Sequence, residues 1–327
     1  MATIETSLSA HIPVGISSCL LGEPVRFNGS HKRSRFCTDT LSRYFDFVSV
    51  CPEMAVGMSV PRPPIRLVSK NAADPEVRAV GTDNPDLDVT IPLLDYARQQ
   101  AVALDHLCGY IFMQKSPSCG LFGVKRYLAN GHPEGSTGGL YATELQRLLP
   151  LIPMEEAGRL NDDALRENFM VRVFTLHDWR QFRAQPLTAS GLIRFHSRYK
   201  YLVMAHSLSQ YKAIGHVLAD LRSRPLDNIA DDYIHLLMTA LAKPANRKTH
   251  TNTLMHLQGY LRAHIDQQDR QELTDLISQY RQGIVPLIVP LTLLKHHLSH
   301  NPEASAYARD QVYLNPHPYE LGLRNAI

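Results

Sequence analysis

The chain has 327 residues, 44% of them hydrophobic and 20% charged, with a formal net charge of +3. That length exceeds one ordinary core and argues for two domains, and the composition is that of a globular chain, not a disordered one. No apolar stretch reaches the roughly 18 residues a bilayer span needs; the longest, 284–294, is interrupted by Pro286, Pro290 and Thr292.

In chain order, residues 1–11 are polar, carry Glu5 and lack a basic region followed by an apolar one, so a signal peptide is not expected and the location reads as cytoplasmic. Residues 12–17, 45–51 and 109–113 are short apolar runs bounded by Gly, Pro or polar residues, as buried parallel strands are. Helix candidates lie between them at 34–44 and 93–107, the second with apolar residues at 94, 97, 101, 104 and 107. This alternation predicts an α/β domain with a Rossmann-like parallel sheet, in which ligands bind beyond the carboxyl ends of the strands. The run 61–68, with three prolines, predicts a stiff loop, and 129–139, with four glycines, predicts another. A helix at 163–174 is expected to close the first domain, with 181–189 as linker, giving domains 1–180 and 181–327. From residue 193 the apolar period becomes helical through Phe195, Tyr199, Leu202, His206, Tyr211, Ile214 and Leu218. Further stripes at 234–241, 254–265 and 273–280, the last with Gly283 as C-cap, predict an all-α bundle of about five helices.

All five cysteines lie before residue 120. An odd number in a reducing compartment argues against a disulfide framework. Cys108, inside an apolar run, reads as core, and Cys37 stays open. Cys19, Cys51 and Cys119 each sit in a small-residue phrase just beyond a predicted strand. Their spacings of 32 and 68 residues match no zinc finger. Three thiolates from three strand ends suit an iron–sulfur cube with one iron left without a protein ligand. Glu53 can project into the same pocket as a general acid/base, or be a solvated loop carboxylate. Ser116 and Ser118 offer hydroxyls for positioning, or simply make the turn before Gly120.

The phrases Val14–Cys19 with Leu20-Leu21-Gly22 and Val25-Arg26, then Val50-Cys51-Pro52-Glu53, Pro61-Arg62-Pro63-Pro64 and Ser116-Pro117-Ser118-Cys119-Gly120, resemble the thiouracil desulfidase family over roughly residues 10–150. The resemblance implies a 4Fe-4S cluster held by three cysteines, with the substrate's thiocarbonyl sulfur binding the free iron and water replacing it without net redox change. Carried over, Cys19, Cys51 and Cys119 are the ligands, Glu53 the acid/base and Ser116 a substrate-positioning residue. Arg66 stands where that family often has an acidic residue. The second half is similar to an uncharacterised helical domain, and the fusion resembles the arrangement of bacterial tRNA 4-thiouridine desulfidases.

The resemblance thus implies thiolated tRNA as partner. Residues 186–327 carry 15 Lys and Arg against 11 Asp and Glu, which leans the same way. Candidate RNA contacts are Lys32, Arg33 and Arg35 near Cys19, and Arg194, Arg198, Lys200, Lys243, Arg247 and Lys248 in the second domain; each alone also reads as a solvated face. His206 reads as a satisfied core residue, and His296, His297 and His300 as surface. Two alternatives stay open: a desulfidase for free thiouracil or thiolated nucleotides with the helical domain only for docking, and a cluster-bearing redox sensor. No membrane partner is expected, and the oligomeric state is left undetermined.

Overall fold

The structure, a computed structural model, describes residues 11–71 and 76–327. The segment read as lacking a signal peptide falls almost wholly in residues 1–10, outside those described. The chain divides into two compact units, 1–161 and 162–327.

The first unit holds two four-stranded sheets. Its strands are β1 (Ile12–Ser17), β2 (Phe45–Val50), β3 (Ile65–Ser69), β4 (Arg78–Gly81), β5 (Gly109–Phe112), β6 (Val124–Leu128), β7 (Pro133–Thr137) and β8 (Met154–Glu156). The larger sheet runs β2-β1-β5-β8, every pair parallel, with Ser17 beside Val50 and Ile16 beside Ile111. Val14 and Ile16 are fully buried, as strands covered on both faces require. Gly15 is needed where it stands, because a Cβ there would meet the Tyr110 ring at 2.3 Å. The second sheet, β4-β3-β6-β7, mixes parallel and antiparallel pairs. Leu67, Ala79, Val89, Leu93 and Val124 form its core. Cutting the fully buried Leu67 to Ala would cost about 2–5 kcal/mol.

Helices α1 (Pro52–Ala55), α2 (Thr90–Ala103) and α3 (Leu140–Leu148) complete this unit. The expected helix at 34–44 is instead a π-turn, Phe36–Thr40, followed by a 3-10 turn, Leu41–Arg43. Short hydroxyl side chains compete with the backbone there: Thr38 donates to the Ser34 carbonyl and Ser42 to that of Thr38. Two expected loops contain strands. Residues 65–68 leave the proline run as β3, and 133–137 form β7 of a hairpin with β6.

The second unit is helical: α4 (Asp163–Arg183), α5 (Ala189–His206), α6 (Leu208–Ala219), α7 (Leu226–Ala242), α8 (Arg247–Gln258), α9 (Gln267–Gln282), α10 (Ile288–His300) and the single turn α11 (Ala306–Arg309). Beyond residue 181, where about five were expected, six of these have twelve or more residues among those described. The long stripe from 195 to 218 breaks at Ser207, which is extended and caps α6 through a bond from the Gln210 amide. Pro290 sits in the first turn of α10, where its missing N–H is no loss. Gly283 closes α9 in a left-handed conformation, as expected.

The unit boundary is at 161/162, not 180/181. Helix α4 runs nine residues beyond its expected end and packs within the second unit, where Asn168 donates to the Leu241 carbonyl at 2.8 Å. Among the described residues, no helix is long and apolar enough to cross a membrane.

Candidate active site

Strand β1 ends at Ser17 and turns at once through Ser18–Leu20, leaving Cys19 just past its carboxyl end. Strand β2 ends at Val50, and Cys51 becomes the N-cap of α1. Strand β5 ends at Phe112 and leads into the loop that carries Cys119. Because β2, β1 and β5 are adjacent and parallel, all three thiols stand at the same end of the sheet. They line one cavity of about 430 Å³, together with Glu53, Ser116 and Ser118.

The loop of Cys119 is fixed by backbone bonds. The amides of Gly139, Leu140 and Ala142, at the start of α3, donate to the carbonyls of Gly120, Pro117 and Ser118 at 2.7, 3.0 and 3.1 Å. Groups that a helix start leaves without partners are thereby used to hold the site. Gly139 permits the approach, since a Cβ there would lie 2.7 Å from Ser118 backbone atoms. From the other side Glu156 Oε1 accepts the amides of Leu121 and Phe122 at 2.9 and 3.1 Å.

Glu53 is held through both oxygens. Ser118 Oγ donates to Oε1 at 2.6 Å, and Arg62 donates to Oε2 from Nε at 2.8 Å and from Nη2 at 2.7 Å. The Arg62 side chain is only 4% exposed and also donates to the carbonyls of Val25 and Ser59 at 2.9 and 3.2 Å. Ser116 points its hydroxyl into its own turn, accepting the amides of Cys119 at 3.1 Å and Ser118 at 3.3 Å. Its Oγ is also 3.0 Å from that of Ser118.

Burial pushes the Cys19 thiol up to about 11, and neighbouring Cys51 adds to the rise. Burial likewise raises Cys51 and Cys119, with the Glu53 carboxylate raising both further. Three sulfurs and a carboxylate around one cavity repel each other as anions, a cost that a multiply charged metal group among them removes. Among the described residues no three His, Cys, Asp or Glu side chains group as a single metal ion requires. Three soft thiol donors lining one cavity are a donor set that suits an iron–sulfur cluster.

Comparison with known proteins agrees with this division. The model for 2-thiouracil desulfurase matches residues 14–157, and that for a protein of unknown function, DUF1722, matches residues 200–318. The uncharacterized protein YbgA of Escherichia coli (strain K12) is 36% identical over 168 residues, covering 51% of this chain and 98% of YbgA. The chain therefore carries a 2-thiouracil desulfurase domain in its first unit and a DUF1722 domain in its second. A solved structure of the [4Fe-4S]-dependent thiouracil desulfidase TudS is 26% identical, covering 46% of this chain and 93% of that one, at a TM-score of 0.35.

Within the desulfurase domain Cys37 and Cys108 are buried away from the cavity lining, Cys108 in the core beside β1. Arg66 lies on β3 with its guanidinium 5.6 Å from the Tyr127 ring centre. Lys32 lines the cavity. Arg33 and Arg35 are exposed on the segment that follows, Arg33 already paired with Asp39 at 2.7 Å. In the second unit Arg194, Lys243, Arg247 and Lys248 are exposed. Arg198 is 3.5 Å from Asp178, and Lys200 lies over the Tyr211 ring.

His206 is buried and donates from Nδ1 to the Lys243 carbonyl at 2.8 Å. Tyr199, also buried, donates to Asp178 at 2.7 Å. His297, expected on the surface, is buried, while His296 and His300 are exposed. The residues that sequence reasoning passed over are Arg62, quoted only as part of a loop phrase, and Ser118, weighed mainly as a turn former. The signal for Arg62 was a lone cation between prolines nine residues after Glu53.

Proposed function

We propose that this protein is a desulfidase that replaces the thiocarbonyl sulfur of a thiolated uracil by oxygen, acting on 4-thiouridine in tRNA. Cys19, Cys51 and Cys119 would hold a 4Fe-4S cluster. When bound, that group supplies an iron with an open position and an affinity for sulfur. The observation that carries the reading is the convergence of three thiol-bearing strand ends on one cavity with a clamped carboxylate in its wall.

The chain's own part is proton handling and orientation. Arg62 and Ser118 leave Glu53 one position, beside the cavity, from which it takes a proton from water as the oxygen bonds to the ring carbon. As the carbon–sulfur bond breaks, the same carboxyl returns a proton to the departing sulfur. The balance is one thiocarbonyl and one water giving one carbonyl and one hydrogen sulfide, with no net electron transfer. A redox sensor has no use for a carboxylate held this way. The basic residues of both units would meet the phosphates of an RNA whose thiolated base is splayed into the cavity.

The test is anaerobic reconstitution with iron and sulfide, incubation with tRNA carrying 4-thiouridine, and mass analysis of the nucleosides. Loss of 4-thiouridine with matching gain of uridine is expected. Turnover of free thiouracil with the tRNA untouched would remove the RNA substrate, and no sulfide from either would remove the activity.

A further inference from the structure

One polar group in the cavity wall is left idle. Ser17 Oγ accepts the Met113 amide at 3.0 Å, and Ser18 Oγ lies 2.7 Å from that of Ser49. Ser116, Ser118, Glu53 and Arg62 bond to one another or to nearby backbone. Gln114 lines the same cavity just beyond β5, and its Oε1 is buried with no hydrogen-bond partner among the described residues. A buried carboxamide oxygen without a donor is costly, and its retention in a cavity wall points to a donor that arrives with a ligand. The side chain is held in place: a Cβ on Gly158 would lie 2.9 Å from Gln114 Nε2 and 3.1 Å from its Cδ, so the amide packs on bare backbone there. The next residue, Lys115, is the one non-glycine among the described residues with a left-handed backbone, at φ 60°. That conformation costs a lysine energy. It turns the chain so that Gln114, Lys115 and Ser116 all line the cavity, where an extended strand would alternate its side chains.

We propose that Gln114 is the specificity-determining residue of this cavity and reads the imide edge of the ring. Its Oε1 accepts the ring N3–H, and its Nε2 donates to the carbonyl on one side of that N–H. The thiocarbonyl on the other side is left without a protein donor and free to meet the thiol-lined part of the wall. A carboxamide presents an acceptor and a donor side by side, which is the complement of N–H next to C=O. This rests on the desulfidase reading and adds a requirement to it: the substrate must carry a hydrogen on N3, so a thiolated base substituted there is refused. Refusal is strong because the analogue leaves a buried acceptor unpaired.

The experiment uses the full-length, cluster-reconstituted protein. Sulfide release is compared for 4-thiouracil and 3-methyl-4-thiouracil, and equilibrium dialysis compares uracil with 3-methyluracil, which hold no sulfur and give a readout independent of turnover. The unaltered protein should favour the unmethylated member of each pair about 100-fold. Gln114→Leu keeps the bulk of the side chain and should lose about tenfold or more in affinity for uracil. Because it also removes an idle buried oxygen, its urea midpoint should not fall, whereas a glutamine with a purely structural role predicts a fall. Gln114→Ala leaves room for the methyl group and should bring both ratios near one. A Gln114→Leu protein that binds uracil as tightly as the unaltered one, or that unfolds at lower urea, overturns the assignment. If sulfide is released from 4-thiouracil with that affinity unchanged, Gln114 alone is wrong. If uracil binding depends on Gln114 but no sulfide is released, it is the desulfidase reading that fails.

Discussion

Arg62→Met keeps the length of the side chain and removes every donor that fixes Glu53 Oε2. The Glu53 side chain is only 13% exposed, so water can offer the stranded carboxylate little. Removing one partner of a buried pair costs about 3–5 kcal/mol, because the surviving charge is left uncompensated. The donors to Val25 and Ser59 disappear as well. In Glu53→Gln/Arg62→Met there is no charge to strand, so the double variant should be more stable than the sum of the single losses predicts, by about 2–3 kcal/mol. Trp179, the single tryptophan, lies in the second unit. Amide hydrogen exchange at Val14–Ile16 and Ile111, in the core of the parallel sheet, reports the opening free energy directly. A coupling below about 0.5 kcal/mol would mean the pair is not a unit and would refute the account of how Glu53 is oriented.

Replacing Cys19, Cys51 or Cys119 by Ser should each abolish retention of iron and inorganic sulfide after reconstitution, whereas Cys37→Ser and Cys108→Ser should keep both; elemental analysis decides. Glu53→Gln should keep the cluster's visible absorbance and lose sulfide release, as measured by methylene blue formation. Ser118→Ala removes the 2.6 Å bond to Glu53 from a fully buried position, and about 1–3 kcal/mol of stability with it, together with most of kcat, while KM stays near its original value. In the second unit, burial lowers His196 to about 4 and His250 to about 3. The unfolded state therefore binds more protons than the folded one below about pH 6.5, and stability falls as pH drops from there toward 4. Trp179 fluorescence during urea unfolding at pH 7 and pH 4.5 should show a lower midpoint in acid, with a smaller drop for His250→Gln.

The strands that position the thiols were legible because each is a short apolar run ended by Gly, Pro or a polar residue, and burial on both faces demands that pattern. The small sheet was not, since Arg66 interrupts the apolar run of β3 and Pro133 opens β7. The edge of the first unit was misplaced because a continuous helical period says where α4 lies but not which core its face meets. Glu53 could be named from its distance to Cys51. Its clamp could not, for Arg62 reaches it across a loop containing three prolines, and no periodicity links residues in irregular backbone. Ser118 was discounted because the same hydroxyl chemistry serves turns and sites alike, and only geometry separates the two.

The seating of the Cys119 loop on the first turn of α3 makes the order of events during synthesis matter. A nascent chain that has emerged only as far as residue 130 already exposes every sulfur the pocket needs, yet lacks the amides that pin the last of them. On the proposed reading, a cluster would find its third thiol fixed only once that helix has formed.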